Sequence, residues 1–145
     1  MTPTISLYIV DEFWIINFDG IPLFSYSPRE ELSSILISSF FSAIQKFALR
    51  TDDSNSKYIN SLSLGESNFN FMVNNEYELY FISKSTKKIK EKLINKHLKE
   101  IEQMFLSKFE EDVKNFSGEI TKFDKFEPTF EKYFKDKFTK LKSMW

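Results

Sequence analysis

Apolar residues follow two rhythms along this chain, an alternating one and a three-to-four-residue one. Residues 5–18 are rich in β-branched and aromatic side chains, and the chain then meets Asp19-Gly20 and continues through Ile21, Pro22, Leu23 and Phe24 to Tyr26. This predicts two strands joined as a hairpin, because Asp-Gly suits a tight turn whose central residues need positive φ. Pro22 has no N–H for a ladder, which puts the second strand at a sheet edge and the first inside. Ser27-Pro28-Arg29-Glu30 joins a Ser N-cap, Pro at the first helical position and Glu three residues after the cap, so a helix starts there. Leu32, Ile35, Leu36, Phe40, Ala43, Ile44 and Phe47 recur at helical steps, predicting one apolar face for the sheet, with Ile37 and Phe41 off it.

Residues 50–57 form a polar loop, and three short strands then fit as a meander at 58–64, 69–73 and 77–83. In the middle strand Phe69, Phe71 and Val73 face one way, Asn70 and Met72 the other. From residue 86 to 115 the period turns helical, with Ile89, Leu93, Ile94, His97, Ile101, Met104, Phe105, Phe109, Val113 and Phe116 on one stripe, and Ser117-Gly118 ends it. A last helix over 126–141 is marked by Phe126, Phe130, Phe134, Phe138 and Leu141, with Asp124 as its N-cap and Pro128 in its first turn. The elements run β-β-α-β-β-β-α-α, an α+β domain with a five-stranded antiparallel sheet. The 145 residues are expected to form a single domain, 1–145.

Composition narrows the chemistry. The chain has no Cys and only His97, which removes thiol catalysis, iron–sulfur clusters and Cys-based zinc sites and leaves most acid–base constellations without members. His97 lies on the apolar stripe of the long helix and reads as a core-edge histidine with one satisfied nitrogen. The adjacent carboxylates Asp11-Glu12, Asp52-Asp53 and Glu110-Glu111-Asp112 point in different directions and read as solvated charges. All three glycines fall at turns or caps, leaving no phosphate-binding loop. No catalytic, metal or cofactor-binding residues are expected. The chain shows no signal peptide and no apolar run long enough to span a bilayer, so a cytoplasmic protein is expected.

Charge is segregated: residues 1–83 hold 4 basic and 10 acidic side chains, and residues 84–145 hold 16 and 11. Lys84, Lys87, Lys88, Lys90, Lys92, Lys96 and Lys99 crowd the start of the long helix, where cations oppose the helix dipole. Such a run is either a solvated face in a lysine-rich composition or a contact for an acidic partner or anionic lipid, with Lys84, Lys87, Lys88 and Lys90 as candidates. Nucleic acid is not expected, because Arg and interleaved aromatics are missing from the run.

Ile15-Ile16-Asn17-Phe18-Asp19-Gly20-Ile21-Pro22-Leu23-Phe24 resembles the opening hairpin of longin domains. The stretch from Ile101 through Phe105, Phe109 and Phe116-Ser117-Gly118 to Phe123-Asp124-Lys125-Phe126 resembles their second half. The longin branch of the longin/roadblock superfamily, with its profilin-like fold, fits better than the roadblock branch, whose domains begin with an extra helix. The resemblance implies a non-catalytic module that forms a homodimer or heterodimer with like domains and serves small GTPases in membrane-traffic assemblies, peripheral to a membrane through its partners. A small structural subunit of a vesicle-coat adaptor-like complex and a profilin-like actin-binding domain are the alternatives. Candidate partner contacts are Ile37 and Phe41, if the sheet buries only the other helix face, and the edge-strand residues Leu23, Phe24, Tyr58 and Ile59.

Overall fold

The computed structural model describes residues 10–27, 34–51 and 58–138. The signals at 28–30, the loop at 52–57, residues 5–9 and the last residues of the final helix lie outside them. Strands β1 (Glu12–Asn17), β2 (Pro22–Tyr26), β3 (Ser61–Leu64), β4 (Ser67–Asn74) and β5 (Leu79–Thr86) form one antiparallel sheet in the order β2-β1-β5-β4-β3. Helix α1 (Ser34–Thr51) joins β2 to β3, and α2 (Glu91–Lys114) follows β5. Pro22 lies on an edge strand, where its missing N–H costs nothing. Beside it the β1–β2 register shifts between Ile15 and Ile16, which pair with Phe24 and Pro22.

The period of two along β1 divides the molecule. Phe13 and Ile15 enter a core with Phe24, Leu79 and Phe81, roofed by α2 and the C-terminal segment. Trp14 and Ile16 point the other way, into a smaller core with Phe69, Phe71, Tyr80, Ile82 and Phe41 of α1. The large core is built on aromatic contacts: Phe13 stacks on Phe130 with ring centroids 4.7 Å apart, and Phe126 meets Phe24 edge-on at 5.1 Å and Phe105 at 5.2 Å. Such pairs contribute about 0.5–1.5 kcal/mol each beyond their buried area.

Three boundaries differ from the sequence reading. The third strand starts at Ser61, because buried Gln45 of α1 takes both polar groups of Ile59: its Oε1 accepts from Ile59 N at 2.7 Å and its Nε2 donates to Ile59 O at 2.9 Å. The fifth strand continues to Thr86, so the long helix begins only at Glu91. Asp124 lies inside a 3₁₀ turn, Thr121–Phe126, and therefore does not cap α3 (Glu127–Tyr133), which continues as a π-helical turn, Phe134–Phe138. Phe126, Phe130 and Phe134 still share the buried stripe, and Pro128 stands in the first turn of α3.

The β1–β2 turn is held by Asn17, whose Oδ1 accepts from Asp19 N at 3.0 Å and Ile21 N at 2.9 Å. Gly20 adopts φ of 87°, and a Cβ there would lie 3.2 Å from Ser42 Cβ. This turn therefore needs glycine both for its backbone angle and for the close approach of α1.

Candidate interaction surface

Helix α1 lies on the sheet by the face opposite to the one its apolar period marks. Ser38, Phe41, Ser42 and Gln45 are buried, a stripe at three- and four-residue steps that is small and polar except for Phe41. Phe41 is fully enclosed, its ring 5.1 Å from Phe69 and 5.7 Å from Trp14. Ser42 Oγ donates to Phe18 O at 2.9 Å, and Gln45 holds Ile59. The face predicted to be core is outside: Ile35 is 69%, Leu36 73%, Phe40 45% and Phe47 69% exposed.

The expected contact pair Ile37 and Phe41 is therefore corrected. Phe41 is core and Ile37 is half-buried against that core, because serines at 38 and 42 let the backbone approach while Phe41 fills the space between. The edge candidates change as well. Leu23 and Phe24 sit on edge strand β2, but their side chains are buried in the large core, so they offer no side-chain contact. Tyr58 and Ile59 precede β3 and pack half-buried on the small core; Tyr58 Oη donates to Asn75 Oδ1 at 2.9 Å, and Ile59 is engaged by Gln45.

Lys84 also leaves its assigned group. It lies in β5 with its Nζ 3.5 Å from Oε2 of buried Glu12, whose Oε1 accepts from Ser27 Oγ. Lys87, Lys88 and Lys90 are exposed in the turn before α2, and Lys92, Lys96 and Lys99 are exposed on the helix itself.

His97 is buried and bonded within the fold. Tyr133 Oη donates to Glu100 Oε2 at 2.6 Å, and a carboxylate can only accept, so Tyr133 Oη must accept from Nδ1–H of His97, 2.7 Å away. This chain ties the end of α3 to α2. Burial lowers the His97 pKa, reinforced by Lys96 and Lys137 and opposed by Glu100. Burial also raises Tyr133, aided by its bond to Glu100. Tyr80, in the small core, is pushed up to about 12 by burial. His97 and Tyr80 line none of the clefts of about 230 Å³ beside the β1–β2 turn, about 590 Å³ beside Tyr58 and Asn95, and about 430 Å³ beside Met104 and Pro128, whereas Tyr133 forms part of the wall of the last. Among the described residues no three His, Asp or Glu side chains converge as metal ligands, and no helix is long and apolar enough to cross a membrane.

The buried groups hold the fold, and the surface that calls for explanation is the apolar face of α1. No sequence periodicity assigned that face to the outside; the signal was the absence of charge around α1, whose charged residues are Lys46 and Arg50 alone.

No protein-family model matches this sequence, and no curated protein does. Solved structures do. A chain of the mammalian SRP receptor superposes with a TM-score of 0.58 at 13% identity, covering 89% of this chain and 94% of that one. MglB of Myxococcus xanthus superposes at 0.52 with 11% identity over 68% of this chain and 85% of its own. A Roadblock/LC7 domain from Streptomyces avermitilis superposes at 0.52 with 6% identity over 67% of this chain and 86% of its own. At these identities the likeness lies in the path of the backbone, and by that path the chain carries the longin/roadblock α+β fold.

Proposed function

We propose that this chain is a non-catalytic interaction domain that pairs through α1 with a longin- or roadblock-type domain, its own copy included, and in that state scaffolds or regulates a small GTPase in a membrane-traffic-like assembly on the cytoplasmic side. The observation that carries the reading is the exposed stripe Ile35, Leu36, Phe40 and Phe47. The inner face of α1 rests on the sheet, and its apolar outer face is left for a second body to cover. Covering a Leu, Ile or Phe side chain contributes about 1.5–3 kcal/mol, so a partner that engages even two of these gains appreciable affinity. Platforms of this fold act by geometry, holding a bound protein without reacting with it, which suits a chain whose only histidine is committed to its own packing.

Sedimentation across a concentration series, alone and with small GTPases of the same cell loaded with GDP or a GTP analogue, tests this. The expected result is a concentration-dependent dimer, or a stable pair with a related domain, that takes up a GTPase in one nucleotide state. The Leu36→Asp/Phe47→Asp variant is expected to remain monomeric and to unfold as cooperatively as the parent. A monomer indifferent to like domains and to every GTPase overturns the reading and favours a subunit of a larger assembly.

A further inference from the structure

We propose that the lysine ridge at the start of α2 docks on an anionic membrane surface, on the side of the sheet opposite α1. This goes beyond the pairing assigned to α1 and stands or falls separately from it. Helix α2 buries Ile94, His97, Leu98, Ile101, Glu102, Phe105 and Phe109. At 3.6 residues per turn Lys92, Lys96 and Lys99 fall within a strip about 60° wide, diametrically opposed to that buried face. Lys87, Lys88 and Lys90 stand in the turn that precedes the helix, and all six are exposed.

Little among the described residues neutralises this strip. Lys99 pairs with Glu102 at 3.0 Å, but Lys87, Lys88, Lys90, Lys92 and Lys96 make no ion pair among the described residues. Of the nearby acids, Glu102 is held by Lys99 and Asn74 and Glu100 by Tyr133, which leaves exposed Glu91. The arrangement also works against the helix. Lys90 occupies the N-cap, where it provides no side-chain cap, and cations at a helix N-terminus oppose its dipole. A residue choice that forgoes both local stabilisations is explained by a demand for positive charge at this place.

The form of the strip points to its partner. The six cations are mobile point charges on flexible stems. No aromatic side chain stands among Lys87, Lys88, Lys90, Lys92 and Lys96 to stack on a base. A convex ridge of mobile cations matches a laterally fluid layer of anionic headgroups, felt within a Debye length of about 8–10 Å. With the ridge on the bilayer, α1 on the opposite face of the sheet remains open to a protein partner.

Vesicle flotation of the full chain tests this, using phosphatidylcholine vesicles with and without phosphatidylserine. Flotation is expected only with phosphatidylserine and is expected to be lost at high salt. Lys88→Gln/Lys92→Gln/Lys96→Gln/Lys99→Gln is expected to reduce partitioning by about five-fold per lysine, on the order of 100-fold or more in all. The charge-matched control Lys108→Gln/Lys114→Gln/Lys122→Gln/Lys125→Gln, toward the other end of α2, is expected to float like the parent. Both variants should unfold cooperatively. Absence of flotation, equal flotation on uncharged vesicles, or equal loss in both variants overturns the proposal. Loss in Leu36→Asp/Phe47→Asp also overturns it, because insertion of the α1 stripe would then be the cause; that same variant failing to dimerise while still floating would separate the two surfaces.

Discussion

Helices α1 and α2 obey the same periodicity and bury opposite kinds of face. In α2 eleven of 24 residues are charged, so its apolar stripe is the only surface it can give to the sheet. In α1 two of 18 are charged, and the stripe with the strongest apolar period is the one left outside. Periodicity thus marks a surface that must be covered without saying by what body. On α1 that choice falls to shape and hydrogen bonding: Ser42 allows close approach beside Gly20, Phe41 plugs the small core, and Gln45 finds the peptide of Ile59.

The sharpest way to break this comparison is to exchange substitutions between the two faces of α1. Phe41→Ala is expected to cost about 3–5 kcal/mol of folding stability, the usual loss for an enclosed Phe, although the sequence period puts it on the outer face. Leu36→Asp, one of the apolar-period residues, is expected to change stability by no more than about 0.5 kcal/mol at a concentration where the chain is monomeric. Denaturant unfolding of the two variants checks both. A larger cost for Leu36→Asp than for Phe41→Ala would mean that α1 is seated on the sheet by its other face.

Gln45 is the next test. Gln45→Ala removes two hydrogen bonds and strands the amide groups of Ile59, with an expected loss of about 2–3 kcal/mol and earlier hydrogen exchange at Ile59 than at Phe71. Loss of this bond pair also bears on what the sequence could tell. The element order, the edge position of Pro22, the Gly20 turn and most of the α2 stripe were legible, because each rests on a local rule; buried Leu98 and Glu102 were missed, and α2 ends at Lys114 with Asn115 as its cap, before Gly118. Helix α1 was not legible. Its inner face is specified by small size and by one amide reaching 14 residues along the chain, and neither carries a periodic signal. The boundary at Ser61 was lost for the same reason, and the interaction candidates Ile37 and Phe41 were lost with it. The lysine group was legible in place, except Lys84, whose pairing with Glu12 depends on a strand register that composition does not display.

On the α2 side, His97 supplies a pH test. Its pKa is lowered, first by burial, from an ordinary value of 6.5, so the unfolded chain takes up the proton before the folded one. The His97 contribution is therefore intact above pH 6.5 and is lost as pH falls below that value toward the folded pKa. The slope from one group is at most about 1.4 kcal/mol per pH unit. Stability of the parent measured from pH 7 to 5 should fall more steeply than that of His97→Gln, and parallel curves would mean that the imidazole is protonated as readily in the folded chain as in the unfolded one.

The smallest effect has the most to say about why α2 begins as it does. Lys90 stands at the N-cap with extended backbone angles, φ −69° and ψ 135°, while its carbonyl already accepts from Leu93 N at 3.1 Å and Ile94 N at 3.2 Å. The geometry for a cap is in place and only the side-chain acceptor is wrong. Lys90→Asp supplies that acceptor and replaces a repelled cation by an attracted anion, for an expected gain of about 1 kcal/mol and a rise in Tm of roughly 2–4 °C. Lys90→Ala, which removes the charge without supplying a cap, should gain less. A gain in stability accompanied by weaker flotation on phosphatidylserine vesicles would mean that the lysine is kept at the helix's expense for the surface it meets. A gain in stability with flotation unchanged would confine the membrane contact to the ridge Lys92, Lys96 and Lys99 and the turn lysines Lys87 and Lys88.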